Sequence, residues 1–134
     1  MKLLISPTGK GIRKQDDFGS GTYLAKRGND FHYAIDFICV PNQDILSPIT
    51  GKIIRVAYPY ANDKNYSGLV IENLDLRIKL FYLKPLIETL KKNIKQGEKI
   101  GIAQDISKKY NKGKQKMIPH IHLEIERINP EVLM

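Results

Sequence analysis

Two short motifs contain all three histidines of this 134-residue sequence. One motif is His32 followed four residues later by Asp36, and the other is His120-Ile121-His122 near the end of the chain. Imidazole nitrogens and carboxylate oxygens are ligands that zinc binds readily. One aspartate and two histidines would leave the fourth tetrahedral position open for water, as in a catalytic zinc site. The remaining histidine would be free to act as a general acid and base.

The segment from Pro119 to Glu126 alternates polar and apolar residues, which predicts a half-buried strand. The apolar positions are expected to face a core: Ile121, Leu123 and Ile125. The polar positions share the opposite face: His120, His122, Glu124 and Glu126. Side chains two residues apart on a strand point the same way, about 6.5–7 Å apart, so both imidazoles can approach one ion. The two glutamates are expected to orient the imidazoles through hydrogen bonds.

The apolar run of residues 33–40 contains one charged residue, Asp36. The β-branched residues of this run and the following Pro41 favour a strand over a helix. A carboxylate inside such a strand must be paired, hydrogen-bonded or bound to a metal. His32 is therefore expected to share a site with Asp36. Cys39 should point away from Asp36 and pack as a small apolar residue.

The remaining patterns predict short strands separated by turns. We expect a strand over Leu3–Ser6, a long glycine-containing loop to residue 30, a hairpin over residues 45–57 with Gly51 at its turn, a hairpin over residues 68–83, a short helix over residues 86–95, and a strand over residues 99–103. Without helices that cross between parallel strands, this pattern indicates an all-β fold with a central antiparallel sheet folded on itself.

Length and composition indicate one domain over residues 1–134. A single cysteine excludes an intramolecular disulfide, and the apolar runs are too short for a signal peptide or a membrane span. The net charge of +8 favours anionic partners such as cell-wall polymer or acidic glycan, whereas nucleic acid is not expected. Lysines that could border a groove and attract such a partner precede the histidine strand: Lys91, Lys92, Lys95, Lys99, Lys108, Lys109, Lys112, Lys114 and Lys116.

The order and spacing of these motifs resemble the lysostaphin/LytM-type zinc metallopeptidases. The segments that carry the resemblance are His32-x3-Asp36, Ser47-Pro48-x2-Gly51-Lys52-Ile53, Gly68-x-Val70-Ile71, Gln96-Gly97-Glu98-Lys99-Ile100-Gly101 and His120-Ile121-His122-Leu123-Glu124. A second set resembles the chemotaxin branch of that group: Gly21-x-Tyr23-x-Ala25-x-Arg27, Phe37-Ile38-Cys39, Tyr58-Pro59-Tyr60 and Lys79-Leu80-Phe81-Tyr82-Leu83-Lys84-Pro85.

The resemblance implies a zinc ion held by His32, Asp36 and His122, with His120 as the catalytic imidazole. It also implies a barrel-sandwich whose long loops border a groove. There, a zinc-activated water would hydrolyse peptide bonds, as in the cross-bridges of peptidoglycan, at the cell wall or outside the cell.

The sequence departs from the active peptidases at one position of the site. Those enzymes have a second non-ligand histidine where this chain has Tyr82. A phenol with a pKa near ~10 is no base at neutral pH, but it can donate a hydrogen bond to a developing oxyanion. Tyr82 is therefore a second candidate catalytic residue, beside His120. Two functions are favoured: hydrolysis of a peptide, or binding of a peptide, glycan or protein partner without cleavage, as the chemotaxin resemblance implies. A third, a biotinyl/lipoyl-like carrier or a basic β-barrel, is suggested by Gly51-Lys52-Ile53-Ile54 and Gln96-Gly97-Glu98-Lys99-Ile100-Gly101, but it gives no reason for the histidines.

Overall fold

The computed structural model describes residues 3–27 and 30–134. The strands are β1 (Lys26–Arg27), β2 (Asp30–Phe31), β3 (Ile35–Ile38), β4 (Asp44–Leu46), β5 (Gly51–Ala57), β6 (Gly68–Glu72), β7 (Leu76–Phe81), β8 (Leu83–Pro85), β9 (Asn93–Ile94), β10 (Lys99–Ala103) and β11 (His120–Ile128). One helical turn, α1 (Ser107–Tyr110), and two 3-10 turns, Ile87–Thr89 and Pro130–Leu133, complete the described elements. No helix in the described ranges is long and apolar enough to cross a membrane.

The strands form two main sheets, and every strand pair is antiparallel. The larger sheet has the order β3-β11-β7-β6-β5-β9, and the smaller sheet has the order β4-β10-β8. One core joins the two sheets, since fully buried residues such as Ile53, Ile78 and Ile121 from the larger sheet cluster with Ile45 and Ile100 from the smaller sheet. The prediction of an all-β fold with a central antiparallel sheet is confirmed.

The predicted hairpin is confirmed over residues 68–81, as β6–β7, but Leu83 belongs to β8 in the smaller sheet. The strand over residues 99–103 is confirmed as β10. In β7 the alternation of buried and half-buried residues is complete, because one face packs on the core. Cys39 is buried in the core with 4% exposure, as predicted.

The predicted hairpin with Gly51 at its turn is wrong. β4 pairs with β10 in the smaller sheet, whereas β5 pairs with β6 and β9 in the larger sheet, so residues 47–50 connect two sheets. Gly51 is needed instead because the backbone of Glu72 approaches it closely. A Cβ atom at residue 51 would lie 2.5 Å from the carbonyl oxygen of Glu72. The predicted strand over Leu3–Ser6 is wrong as well, since residue 3 lies in a bend, residues 4–6 have no regular secondary structure, and the segment belongs to neither sheet.

The predicted helix over residues 86–95 is reduced to the 3-10 turn Ile87–Thr89. The Leu86 amide donates to the Ile100 carbonyl, and β9 pairs with β5. Backbone pairing with the sheets therefore overrides the helical spacing of Leu86, Leu90 and Ile94.

The position of Ile125 also differs from its prediction. It was expected in the core but is 49% exposed, because it lies beyond Leu123, where the pairing of β11 with β3 ends.

Candidate metal centre

Two neighbouring strands bring an aspartate and a histidine face to face. β11 pairs with β3, and His122 lies directly opposite Asp36. Directly opposite residues point to the same face of a sheet, with their Cβ atoms about 4.5–5.5 Å apart. His120 points to that face too, since it lies two residues before His122 on the same strand. His32 lies in the connection between β2 and β3, four residues before Asp36.

The side chains of His32, Asp36 and His122 converge on one point. Asp36 Oδ1 lies 3.0 Å from His122 Nδ1 and 3.3 Å from His32 Nε2. One potential ligand atom from each residue lies within 4.8 Å of the other two. Asp36 and His32 are buried, whereas the His122 side chain is 18% exposed. The three residues predicted as zinc ligands are therefore close enough to bind a single ion, and their ligation of a metal stays a prediction.

Each imidazole is oriented by a hydrogen bond from its other nitrogen. His32 Nδ1 donates to the Thr22 carbonyl at 3.0 Å, and His120 Nδ1 donates to the Ile118 carbonyl at 2.7 Å. His122 Nε2 donates to Glu124 Oε1 at 2.9 Å. Such bonds fix the tautomer and the ring orientation of metal-binding histidines.

The role predicted for Glu124 therefore agrees with its position. The same role predicted for Glu126 is wrong. Glu126 forms an ion pair with Lys79 at 2.7 Å, because that lysine projects from the neighbouring strand β7.

The donor set fits a metal ion. A neutral imidazole has one N–H and one lone pair. Because Nδ1 of His32 donates to a carbonyl, Nε2 of the neutral ring presents its lone pair to the carboxylate of Asp36, and Nε2 donates to that carboxylate only when the ring carries a second proton. Nδ1 of His122 faces the same carboxylate oxygen, while Nε2 of that ring donates to Glu124. Lone pairs directed at a carboxylate repel it unless a proton or a cation lies between them, so the cluster suits a divalent cation.

The pKa values follow from burial and from these contacts. Burial raises the pKa of Asp36, but hydrogen bonds from His122 and His32 outweigh it and hold this pKa well below its usual range. Burial lowers the pKa of His122, but hydrogen bonds to Asp36 and Glu124 outweigh it and raise the pKa to about 9. The pKa of His120 is lowered, chiefly by burial, so this imidazole is neutral at pH 7 and able to accept a proton.

Arg13 belongs to this centre, although sequence reasoning did not identify it. Its side chain is buried, and Nη2 donates to Asp36 Oδ2 at 3.1 Å. The sequence signal was indirect: a carboxylate inside an apolar strand requires a partner, but nothing in the spacing pointed to an arginine 23 residues earlier.

Tyr82 lies where the chain passes from the larger sheet to the smaller one. The strand predicted to reach Leu83 is interrupted at this residue, because Tyr82 has a φ of 78°, in the left-handed region that bulky residues rarely adopt. This conformation places its ring 5.5 Å from that of His120, edge to face. Its hydroxyl lies 3.2 Å from that of Tyr60, which in turn lies 2.6 Å from that of Tyr110. Burial raises the pKa of Tyr82 to about 12, so the phenol remains a neutral hydrogen-bond donor.

One cleft of about 320 Å³ contains all five residues predicted as metal ligands or catalytic groups. These are His32, Asp36, Tyr82, His120 and His122. The residues that line it are Arg13, Phe18, Arg27, His32, Asp36, Tyr82, Ile106, Tyr110, Met117, His120 and His122. Arg13 and Arg27 give the cleft two positive side chains, and aromatic rings form much of the remaining wall. This composition suits a ligand with polar and apolar parts.

Comparison with known proteins gives relatives in sequence and in fold. No family model matches the chain. The chain is 37% identical over 114 residues to leukocyte cell-derived chemotaxin-2 of Bos taurus, an alignment that covers 84% of this chain and 72% of that protein. It is 33% identical over 123 residues to leukocyte cell-derived chemotaxin-2 of Mus musculus, with 91% and 78% covered.

Several solved structures with the same fold are described as peptidases. The catalytic domain of lysostaphin from Staphylococcus simulans superposes with a TM-score of 0.54 at 20% identity, covering 85% of this chain and 82% of that one. A zinc-containing peptidase from Vibrio cholerae gives a TM-score of 0.57 at 24% identity, covering 91% of this chain and 37% of that one. Our chain spans 49% or less of the length of several such neighbours. The chain therefore belongs to the leukocyte cell-derived chemotaxin-2 family, and it has the fold of the lysostaphin-type peptidases that its motifs resemble.

Proposed function

We propose that the chain acts as one domain that binds a zinc ion through His32, Asp36 and His122 and hydrolyses peptide bonds in its cleft. The observation that carries this proposal is the convergence of three ligand atoms within 4.8 Å, beside a fourth side chain, His120, that is not needed as a ligand. A zinc ion bound there would polarise a substrate carbonyl and acidify a water molecule.

His120 supplies the proton transfer in this proposal. Its Nδ1 is engaged by the Ile118 carbonyl, so Nε2 faces the cleft with a lone pair, 3.6 Å from Asp36 Oδ2. At neutral pH this nitrogen accepts a proton from the attacking water and returns it to the leaving amine. Tyr82, adjacent to His120, donates a hydrogen bond to the oxygen of the substrate that becomes negatively charged.

Peptides of the peptidoglycan type are the proposed substrates, because the lysostaphin-like neighbour is described as an antimicrobial peptidase. The basic segment, residues 108–116, supports an anionic partner in addition. It contains five lysines and no acidic residue, and it lies next to the cleft, which Tyr110 and Met117 line. Among the described contacts Lys109 pairs with Asp63, whereas Lys112 and Lys114 are exposed without an ion pair.

A second candidate function is binding of a peptide, glycan or protein partner without cleavage. Two observations favour it. The phenol of Tyr82 replaces a histidine and is already hydrogen-bonded to Tyr60, and the relatives identified by sequence are named for chemotaxis rather than for hydrolysis.

Two alanine variants test both functions. His122→Ala should abolish stoichiometric zinc binding in either case, since it removes a ligand. His120→Ala should retain zinc and lose cleavage of isolated peptidoglycan and of short glycine- and alanine-containing peptides. A chelated sample of the unchanged protein is the control for metal dependence.

Each outcome has a definite meaning. Cleavage that is absent from both the His120→Ala and the chelated samples supports a peptidase that operates with Tyr82. Stoichiometric zinc without cleavage supports the recognition function. Full zinc binding by His122→Ala would refute the ligand assignment.

A further inference from the structure

A buried arginine lies against the back of the carboxylate at the metal centre. The side chains of Arg13 and Asp36 are each 3% exposed, and Nη2 lies 3.1 Å from Oδ2. The other terminal nitrogen, Nη1, donates to Asp16 Oδ2 at 2.7 Å and to the Gly19 carbonyl at 2.9 Å. One guanidinium thus spans two carboxylates, which its rigid planar set of donors permits and a lysine ammonium cannot reproduce.

The contacts divide the two oxygens of Asp36 between different partners. Oδ1 faces His122 and His32, at 3.0 and 3.3 Å. Oδ2 faces Arg13 at 3.1 Å and His120 at 3.6 Å. A carboxylate without such a partner can bind a metal through one oxygen or through both. Here the Arg13 hydrogen bond occupies the second oxygen.

We propose that Arg13 is a positioning residue that restricts Asp36 to ligation through Oδ1 and keeps a coordination position at the metal open. This inference rests on the proposed metal site and extends it to a residue outside the ligand set. An open position is what a substrate or water requires, so Arg13 would act on function only through Asp36.

The local fold is built to hold Arg13 in place. Its backbone amide donates to the Asp36 carbonyl at 2.7 Å, and its own carbonyl accepts from the Gly21 amide at 3.0 Å. Gly21 lies between the two side chains: a Cβ there would be 2.7 Å from Asp36 Cβ and 2.8 Å from Arg13 Cβ. Backbone pairing on both sides of Gly21 therefore fixes the distance between arginine and aspartate.

Removing Arg13 changes both the net charge of the site and the orientation of the Asp36 carboxylate, so a test must separate these two effects. Arg13→Met alone would remove the one arginine that pairs with two buried carboxylates, and the added net negative charge would attract a metal. The double variant Arg13→Met/Asp16→Asn removes one positive and one negative charge, so the net charge of the site is unchanged. Asp16→Asn is the matched control, since it retains the hydrogen bond between Arg13 and Asp36.

The experiment measures zinc affinity by competition with a chromogenic chelator, and the visible spectrum of the cobalt(II)-loaded protein. Four-coordinate cobalt absorbs more strongly than five-coordinate cobalt, so the spectrum reports whether Asp36 binds through one oxygen or two. For Arg13→Met/Asp16→Asn we expect a weaker cobalt band and a loss of zinc affinity of about 10–100-fold, the range for lost outer hydrogen bonds. Asp16→Asn should match the unchanged protein in its cobalt band, and any change in its zinc affinity measures the effect of the one added positive charge.

Arg13→Lys keeps the positive charge and loses the planar donor geometry. It replaces the double variant in both measurements if the double variant does not fold. Its expected effect is a smaller loss of zinc affinity with the same weakening of the cobalt band. Spectra and zinc affinities equal to those of the unchanged protein in every folded Arg13 variant would overturn the inference and leave the zinc site intact. Failure of the unchanged protein to bind zinc would instead refute the proposed function.

Discussion

Replacement of Gly21 by alanine should damage the metal centre and the stability of the protein together. A Cβ at residue 21 would lie 2.7 Å from Asp36 Cβ, 2.8 Å from Arg13 Cβ and 3.1 Å from the Arg13 carbonyl oxygen. Carbon atoms in van der Waals contact are about 3.5–4.0 Å apart, so each neighbour would have to move by about 1 Å. The backbone at Gly21 hydrogen-bonds to both neighbours, which prevents an easy adjustment.

The expected cost is that of overpacking a buried site, about 1–3 kcal/mol. For a domain of this length that corresponds to a fall in Tm of the order of 5–10 °C. The displacement of Asp36 should also weaken zinc binding, because carboxylate and imidazoles would no longer converge on one point.

Thermal denaturation followed by circular dichroism, with and without zinc, measures both effects. Gly11→Ala is the matched control. It lies in the same segment and has no atom within 4 Å of the added Cβ, so its Tm should change little or rise slightly. Gly21→Ala with the Tm and the zinc affinity of the unchanged protein would refute the packing argument.

Three further predictions concern pH, the central sheet and the basic segment. The pKa of His122 is raised from 6.5 to about 9 in the folded protein, so the stabilisation that it provides without metal is complete below pH 6.5 and is lost as the pH rises through 9. Urea denaturation of chelated protein at pH 6.5 and 9.5 should show a loss of up to about 3 kcal/mol, and a His122→Gln variant should lack it. Gly68→Ala should not fold, because its Cβ would lie 1.7 Å from the Leu80 carbonyl oxygen between β6 and β7; a native circular dichroism spectrum would contradict this. Replacing Lys112 and Lys114 with glutamine should weaken binding to an anionic glycan and reduce its dependence on salt, and equal affinities at low and high salt would exclude this role.

Local patterns were sufficient to predict much of the fold. The alternation in residues 76–81 and 120–124 survives in β7 and β11, because one face of each strand packs on the core. The predictions failed where a pattern had two readings. Leu86, Leu90 and Ile94 are spaced like one face of a helix, but the segment forms only a 3-10 turn and Ile94 joins the larger sheet in β9. Gly51, predicted as a turn residue, allows close contact with the backbone of Glu72.

The sequence by itself determined the chemistry of the site. Asp36 is the one charged residue in an apolar strand, and all three histidines fall in two motifs, so a site involving His32, Asp36 and the His120-His122 pair could be predicted from residue type and spacing. The reason is that residues two positions apart on a strand, such as His120 and His122, point to the same face whatever the rest of the chain does, and that a carboxylate inside an apolar strand requires a partner.

Only the tertiary structure decided what surrounds that site. Arg13 contacts Asp36 across 23 residues, Tyr60 contacts Tyr82 across 22 and Tyr110 across 50. Such contacts depend on the path of the loops and on the left-handed backbone of Tyr82, neither of which has a local periodicity to reveal it. The sequence thus specifies which ligands are available, while the loops that pack against β3 and β11 decide how those ligands are oriented and how open the cleft is.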